Sequence, residues 1–211
     1  MGLTTSTFKQ ALSLFFLLFS LSICTTATAK QTILVWGDSL SAAYGIPVEK
    51  GWVNLMRETL GEDVNIINGS ISGETTKGGL TRLPAALETH QPDFILIELG
   101  ANDGLRGLPP KVTRNNLNKM IKLSQEKNVS ITLLGMKIPP NYGMAYSNQF
   151  EKVFKDLADE YQLPFIPFFL ESIIEDLSLL QEDELHPTAE AQPLLLKKVL
   201  PIIQAQIKKP T

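Results

Sequence analysis

The chain has 211 residues, of which 44% are hydrophobic and 19% are charged, a composition that is ordinary for a globular protein. This length is enough for one domain with a sizeable core, whereas two domains would each be small. The formal net charge is -3 and the cationic residues are scattered along the sequence. Nucleic-acid binding is therefore excluded as a main function, because proteins of that class carry a basic surface.

The N-terminal segment has the pattern of a secretory signal peptide. Lys9 precedes an apolar run from Ala11 to Cys24, and small residues follow this run. The run is shorter than the roughly 20 apolar residues of a membrane-spanning helix. We therefore expect residues 1–29 to be cleaved after Ala29, which leaves residues 30–211 as one exported domain, periplasmic or secreted. An uncleaved membrane anchor and a lipoprotein signal that ends at the cysteine are the alternatives.

Cysteine chemistry is excluded for the mature chain. Cys24 is the only cysteine, and cleavage after Ala29 would remove it. The mature protein would then have neither a disulfide nor a thiol nucleophile, which is consistent with a core large enough to be stable without a cross-link.

From residue 30 onward, apolar runs alternate with amphipathic segments. Short apolar runs bounded by turn residues predict strands, and apolar residues at three-to-four spacing predict helices. The predicted strands are 33–36, 64–67, 94–99, 129–134 and 165–169. The predicted helices are 51–60, 80–89, 112–127, 150–161 and 188–208.

Three prolines modify these predicted elements. Pro84 is expected to interrupt the second helix and Pro201 to kink the last one, because proline removes a helical hydrogen bond. Pro167 is expected to place the fifth strand at an edge of the sheet or at a bulge, because proline cannot donate to a neighbouring strand.

The predicted strands are continuously apolar rather than alternating, which is typical of a parallel sheet that is covered on both faces. Together with the alternation of strands and helices, this predicts an α/β fold. We expect a three-layer α/β/α sandwich that is doubly wound, with a flavodoxin-like central parallel sheet of about five strands. In such a fold, functional sites lie beyond the carboxyl ends of the strands.

Ser39 is a candidate nucleophile at the end of the first predicted strand, in Gly37-Asp38-Ser39-Leu40-Ser41. A serine hydroxyl becomes nucleophilic when a neighbouring base takes its proton, and a sharp turn after a strand exposes such a hydroxyl. The alternative is that one of these polar side chains only caps a helix. The segment lacks the second glycine of the Gly-x-Ser-x-Gly motif, so the usual lipase fold is not indicated.

Only two histidines are present, His90 and His186. His90 ends a predicted helix, where an imidazole can bond the last carbonyl groups, and we expect it to be structural. His186 follows Asp183 at a spacing of three, which places both side chains on one side of a helical turn. The carboxylate would then fix the imidazole tautomer so that the other ring nitrogen faces the serine. An ordinary exposed turn is the alternative for this segment.

Asn102 and Gly73 are candidates for stabilising an oxyanion. Acyl transfer develops negative charge on the carbonyl oxygen, and fixed N–H donors stabilise that charge. Asn102 offers a side-chain amide after the third predicted strand, and Gly73 offers a backbone N–H that no side chain obstructs. Ordinary turn chemistry is the alternative for each residue.

The candidate residues fall in four blocks: Gly37-Asp38-Ser39-Leu40-Ser41, Gly73, Gly100-Ala101-Asn102-Asp103 and Asp183-Glu184-Leu185-His186-Pro187. Together the blocks resemble the SGNH (GDSL) hydrolase family, and most of all its bacterial periplasmic enzymes with thioesterase, lysophospholipase and arylesterase activities. The resemblance extends from about residue 31 to the end of the chain. It implies a triad of Ser39, Asp183 and His186, with Ser39 as the nucleophile. It also implies an oxyanion hole formed by Ser39, Gly73 and Asn102.

The reaction that this resemblance implies is hydrolysis of acyl esters and thioesters through an acyl-enzyme, without a metal or a cofactor. Apolar residues after the third and fourth strands are candidates for binding the acyl chain, with loop packing as the alternative: Leu105, Leu108, Pro109, Ile138 and Tyr142. Coenzyme A thioesters are cytoplasmic, so an exported enzyme is expected to act on a lysophospholipid or another small acyl ester. No stable membrane insertion of the mature chain is expected. A carbohydrate O-acetylesterase of the same family and a non-enzymatic periplasmic lipid-binding protein are the alternative functions.

Overall fold

The computed structural model describes residues 30–207, so the predicted signal peptide, Cys24 and the last predicted helical residue lie outside the described residues. The strands are β1 (Gln31–Gly37), β2 (Val64–Asn68), β3 (Phe94–Glu98), β4 (Ser130–Leu134) and β5 (Phe165–Ile166). The α-helices are α1 (Trp52–Leu60), α2 (Thr76–His90), α3 (Ala101–Leu105), α4 (Pro110–Glu126), α5 (Met144–Tyr161) and α6 (Gln192–Ile207). Within residues 30–207, no helix has the length and hydropathy needed to cross a membrane.

The five strands form one parallel sheet in the order β2-β1-β3-β4-β5. This order confirms the predicted doubly wound, flavodoxin-like fold. The winding reverses between β1 and β3, and the loops that follow these two strands diverge there and leave a crevice. Gly37 of β1 is paired with Glu98 of β3 at the carboxyl end of the register, so the segments after the two strands begin side by side.

Helices cover both faces of the sheet, as the three-layer prediction requires. Helix α1 packs against α6, and α4 packs between α2 and α5. All five residues of β3 are buried, and so are the last five of β1. The central strands therefore have no solvent-facing side, which explains why their sequences are uninterrupted apolar runs.

Helix α2 begins earlier than predicted. The helix predicted from the sequence starts at Leu80, after Gly78 and Gly79. In the structure, the Thr75 side chain accepts an N–H of the first turn and caps the helix. Gly79 lies where the helix approaches the sheet, because a Cβ there would be 2.4 Å from a methyl carbon of Leu99. Close packing, rather than a helix boundary, therefore accounts for this glycine.

Helix α2 also continues through Pro84, which the sequence predicts to be an interruption. Pro84 lies on the exposed side of the helix, while Leu83 and Leu87 are buried. The hydrogen bond that proline removes is thus lost on the solvent side. Packing of the buried leucines against the core stabilises the helix on either side of the proline.

The last strand is shorter than the predicted range 165–169. It ends before Pro167, and it lies at the edge of the sheet beside β4, which confirms the edge position expected from the proline. The last helix begins at Gln192 rather than at 188, with Pro193 in its first turn, where proline needs no N–H partner. The short helix α3 is not predicted from the sequence.

Candidate active site

Ser39 lies in a tight turn that follows β1 directly. The Ala42 N–H donates to the Asp38 carbonyl at 3.0 Å, which closes the turn around the serine without forming a regular helix. Gly37 ends the strand, and a Cβ at this position would lie 2.5 Å from a carboxylate oxygen of Glu98. The turn can therefore pass close to β3 only because this residue has no side chain.

His186 lies beside Ser39 although 147 positions separate them in the chain. The Ser39 hydroxyl and His186 Nε2 are 2.8 Å apart. On the other side of the ring, His186 Nδ1 is 2.5 Å from Asp183 Oδ2. A carboxylate only accepts hydrogen bonds, so Nδ1 carries the proton and Nε2 presents its lone pair to the serine. This is the geometry that a general base needs to activate a hydroxyl.

Asp183 is held by its own loop rather than by the helical turn that the sequence predicts. The segment is an irregular turn in which Glu184 has a positive φ of 55°. Asp183 Oδ1 accepts the backbone N–H groups of Leu185 at 3.0 Å and of His186 at 2.9 Å. One carboxylate oxygen therefore closes the loop while the other orients the imidazole.

The same contacts keep Asp183 ionised. Partial burial raises its pKa, but hydrogen bonds from His186 and Leu185, with the charge of the imidazole, lower the pKa to about 2. The group is therefore an anion throughout the range in which an enzyme is assayed. It can stabilise an imidazolium that forms when His186 takes a proton.

Gln181 connects the loop of His186 to the turn of Ser39. Its backbone N–H donates to the His186 carbonyl at 2.7 Å. Its side-chain amide donates to the carbonyls of Pro187 at 3.0 Å and Tyr44 at 2.8 Å. The Tyr44 ring then packs on the imidazole, with the ring centroids 4.5 Å apart. A Cβ on Gly45 would lie 2.1 Å from the Gln181 side chain, so the glycine makes room for this contact.

Asn102 lies in the first turn of α3, immediately after the carboxyl end of β3. Gly100 allows the sharp change of direction, because its φ of 129° is unfavourable for residues with a side chain. The Asn102 amide nitrogen donates to Asp38 Oδ2 at 3.0 Å. Asp103, the next residue, is buried and accepts from both the backbone N–H and the hydroxyl of Thr76, which fixes α3 against the start of α2.

Gly73 has a positive φ of 76°, which favours glycine at this position. Its carbonyl accepts from Nη2 of Arg106 at 3.0 Å, so this loop is tied to the end of α3. Gly73 is not among the residues that line the cavity beside Ser39. Its part in an oxyanion hole therefore stays a prediction.

A mainly apolar cavity of about 230 Å³ opens beside Ser39, Asn102 and His186. Two of the predicted acyl-binding residues, Leu105 and Ile138, line it. The other lining residues that are apolar are Leu40, Ala101, Met136, Pro139, Phe168, Leu170, Ile174 and Leu185. Most of these residues follow β4 and β5, and the sequence gives little reason to select them, because only the fold brings their segments to Ser39.

Three other predicted acyl-binding residues, Leu108, Pro109 and Tyr142, lie outside the cavity wall. The Tyr142 hydroxyl donates to the Leu105 carbonyl at 3.0 Å, and the Tyr146 hydroxyl lies 2.9 Å from the Leu108 carbonyl. The two tyrosine hydroxyls thus attach the end of α3 and the residues that follow it to the segment of Tyr142 and Tyr146. These contacts favour loop packing, the alternative given by the sequence, for Leu108 and Tyr142, and acyl binding by the three residues stays a prediction.

Two buried carboxyl groups lie beneath the turn of Ser39. Asp38 and Glu98 are both fully buried. Burial raises the pKa of Asp38 to about 6, although N–H donors from Leu40 and Asn102 oppose this effect. Burial and the neighbouring Asp38 hold the pKa of Glu98 well above its usual range, against hydrogen bonds from Ser41 and from the Asp38 backbone. The sequence predicts no catalytic role for either carboxyl, since their proximity depends on the pairing of β1 with β3.

Comparison with known proteins identifies the family. The model of the GDSL-like lipase/acylhydrolase family matches residues 35–193. The chain belongs to this family. Membership makes the protein a serine hydrolase, and it rejects the alternative of a non-enzymatic binding protein. Within residues 30–207, no cluster of three or more His, Cys, Asp or Glu residues could hold a metal ion.

Three curated relatives agree with the GDSL assignment. The chain is 48% identical to an arylesterase from Vibrio mimicus, over 87% of this chain and 92% of the relative. It is 42% identical to esterase TesA from Pseudomonas aeruginosa, over 88% and 94% of the two chains. It is 38% identical to thioesterase 1/protease 1/lysophospholipase L1 from Escherichia coli K12, over 84% and 86%.

Solved structures of GDSL relatives have the same fold. The structure resembles a crystal structure of TesA with a TM-score of 0.80 and 42% identity, covering 83% of this chain and 99% of that one. It also resembles psychrotrophic esterase EstA from Pseudoalteromonas, with a TM-score of 0.79 and 43% identity, covering 85% and 100%. The EstA enzyme in that structure is inhibited by monoethylphosphonate.

Proposed function

We propose that this protein is an exported acyl hydrolase that cleaves esters and thioesters through an acyl-enzyme on Ser39. The observation that carries this proposal is the 2.8 Å contact between the Ser39 hydroxyl and His186 Nε2, with Asp183 on the other ring nitrogen. Acyl transfer by a serine requires a nucleophile, a base and an orienting acid in this order.

The first half of the reaction forms the acyl-enzyme. His186 Nε2 takes the proton as Ser39 Oγ attacks the acyl carbonyl carbon, and the carbonyl electron pair moves onto oxygen. The oxyanion is stabilised by the amide of Asn102 and by the backbone N–H groups of Gly73 and Ser39. His186 then gives its proton to the leaving alcohol or thiol as the bond from carbon breaks.

The second half releases the acid. A water molecule gives one proton to His186 Nε2 and attacks the acyl carbon of Ser39. The same donors stabilise the second oxyanion, and Ser39 leaves with the proton returned by the imidazole. Asp183 remains ionised in both halves and holds the imidazolium in place.

The wall of the cavity supports a substrate class. Its apolar lining provides favourable burial for several methylene groups of an acyl chain. This supports acyl esters of medium chain length or longer, lysophospholipids among them, as does the lysophospholipase name of the relative from E. coli. The carbohydrate O-acetylesterase alternative would require a shorter and more polar pocket.

The cellular location is part of the proposal. Residues 1–29 have the composition of a signal peptide, so the chain is expected in the periplasm or outside the cell. N-terminal sequencing of the protein recovered from the periplasmic fraction should begin at Lys30. An intact N-terminus in the membrane fraction would instead indicate an anchor.

Hydrolysis of nitrophenyl esters from acetyl to palmitoyl tests the activity, with the Ser39→Ala variant alongside. We expect serine-dependent turnover that is highest for medium or long chains. Labelling of the wild type by a serine-directed phosphonate, abolished in Ser39→Ala, would identify the nucleophile. Turnover of the acetyl ester alone would favour the carbohydrate deacetylase, and turnover unchanged in Ser39→Ala would contradict the assignment of the nucleophile.

A further inference from the structure

Asp38 is a buried carboxylate that the reaction described above does not use. The residue is buried at the base of the cavity wall, next to Ser39 in the chain, and its side chain accepts a hydrogen bond from the Asn102 amide. Removing a carboxylate from water is unfavourable unless hydrogen bonds compensate for the lost hydration. Asp38 has two such donors: the Leu40 backbone N–H at 3.1 Å from Oδ1, and the Asn102 amide nitrogen at 3.0 Å from Oδ2.

The contact with Asp38 determines which way the Asn102 amide faces. An asparagine amide has an NH2 group at one end and an oxygen at the other, and the two ends are similar in size. Above its raised pKa, Asp38 is an ionised carboxylate that accepts hydrogen bonds and donates none, so only the NH2 end is favourable beside Oδ2. The reversed amide would place two oxygens together and would turn the NH2 group away from its present position.

The amide nitrogen carries two hydrogens, and the contact with Asp38 uses one of them. The second hydrogen is directed away from the carboxylate, and Asn102 and Ser39 both line the cavity. We propose that Asp38 is a positioning residue, which orients the Asn102 amide so that its second N–H faces the oxyanion. The inference rests on the proposed function of Asn102 as an oxyanion donor.

A donor fixed in advance is the condition for effective transition-state stabilisation, because no reorganisation is then needed when charge develops. Asp38 itself touches neither the substrate nor the transferred proton in this scheme. Its effect on the rate must therefore pass through the Asn102 side chain. This dependence distinguishes a positioning role from a general effect on folding.

A double-mutant cycle measures this dependence. The first variant is Asp38→Ser, because a serine hydroxyl can still accept the Leu40 N–H but is too short to reach the Asn102 amide. We expect kcat to fall about tenfold to a hundredfold with KM within about threefold of the wild type, because the contact acts mainly in the transition state. In an Asn102→Ala background, Asp38→Ser should change kcat by less than about twofold, because the group that it orients is absent.

Ser41→Ala is the matched control. Ser41 lies in the same turn, and this variant loses its buried hydrogen bond to Glu98 at 2.7 Å, whereas the Asn102 amide is bonded to Asp38 and not to Ser41. Its effect on kcat, whatever its size, should be the same in the wild-type and Asn102→Ala backgrounds. Asp38→Asn provides a second substitution at the same position, so that a folding failure of Asp38→Ser, seen by circular dichroism, does not end the test.

The outcomes separate this inference from the proposed function. If Asn102→Ala keeps full activity, the assigned oxyanion donor is wrong and the basis for a role of Asp38 is lost with it. If Asn102→Ala is impaired but Asp38→Ser and Asp38→Asn reduce kcat equally in both backgrounds, Asn102 is a donor and the positioning role of Asp38 is overturned. A loss of kcat in the Asp38 variants that occurs only when Asn102 is present supports the inference.

Discussion

The side-chain amide of Gln181 donates to the backbone carbonyl of Tyr44 at 2.8 Å, across 137 positions of the sequence. This hydrogen bond joins the loop that carries His186 to the turn that carries Ser39. The two loops come from opposite ends of the domain sequence, and neither is part of the sheet. The alignment of base and nucleophile therefore depends on contacts of this kind.

We expect Gln181→Ala to lower kcat about tenfold while KM changes little. The reason is that the reaction rate depends on the alignment of the two groups, so a small displacement of His186 from Ser39 lowers it. The loss of two hydrogen bonds should lower the free energy of unfolding by about 1–3 kcal/mol. Gln204→Ala, the same substitution at an exposed position of α6, is the control and should keep wild-type kinetics. Steady-state kinetics and thermal unfolding test both variants, and an unaltered kcat in Gln181→Ala would reject this role.

Asn102→Ala should reduce kcat by about a hundredfold to a thousandfold, because the loss of one oxyanion donor typically has this effect. The fold should be retained, since Asn102 is only partly buried. Circular dichroism and hydrolysis of a nitrophenyl ester are the measurements. The rate should remain above that of Ser39→Ala, and equal rates in the two variants would indicate that Asn102 contributes more than a single donor.

Asp183→Asn should lower kcat by about a thousandfold or more, because an amide can no longer enforce the required imidazole tautomer. The pKa of about 2 for Asp183 also means that its protonation does not cause a loss of activity near pH 4 to 5. Its stabilising effect is present above its unfolded pKa of 3.8 and is lost as the pH falls towards about 2. Glu182→Gln removes a neighbouring exposed charge, and should leave kcat and its pH profile unchanged.

Leu105→Trp tests the acyl-binding wall. The larger side chain should fill part of the cavity, so kcat/KM for an octanoyl ester should fall at least about tenfold while that for an acetyl ester changes by less than about threefold. Leu108→Trp is the matched control, because Leu108 follows closely in sequence and lies outside the wall. Equal losses for both esters in Leu105→Trp would place the acyl chain elsewhere.

Glu98 should make the protein less stable as the pH rises. Its pKa is raised in the folded state, so the unfolded chain releases this proton at a lower pH, and stability falls as the pH rises above the unfolded pKa of 4.5. Glu98→Gln cannot ionise, and its amide oxygen can still accept from Ser41. The Tm of Glu98→Gln relative to the wild type should therefore increase from about pH 5 to about pH 8. A constant difference in Tm would show that Glu98 has an ordinary pKa.

The sequence predicts most of the sheet and the groups at its carboxyl edge. Ser39 and Asn102 are identifiable because each follows an apolar strand directly, and strand ends converge in a parallel fold. Asp183 and His186 are identifiable by their spacing, although their loop is not the predicted helical turn. The spacing of three allows the two side chains to meet. The conformation of the loop depends on the backbone N–H groups that donate to the Asp183 carboxylate.

Other features depend on contacts that spacing cannot show. Asp38 meets Asn102 across 64 positions, and Gln181 meets Tyr44 across 137. The sequence predicts that Phe168, in the cavity wall, lies in a strand with its apolar neighbours, but the strand ends before Pro167. In each case the role of the residue depends on tertiary packing, which local propensity does not predict.

The cavity wall and the hydrolytic groups come mostly from separate parts of the chain. Ser39 and Asn102 follow β1 and β3, whereas Met136, Ile138, Phe168 and Leu170 follow β4 and β5. Mutations of these four residues after β4 and β5 can therefore reshape the pocket while the reacting atoms keep their alignment. Evolution, or an engineer, can exchange one range of acyl chain lengths for another without rebuilding the catalytic apparatus.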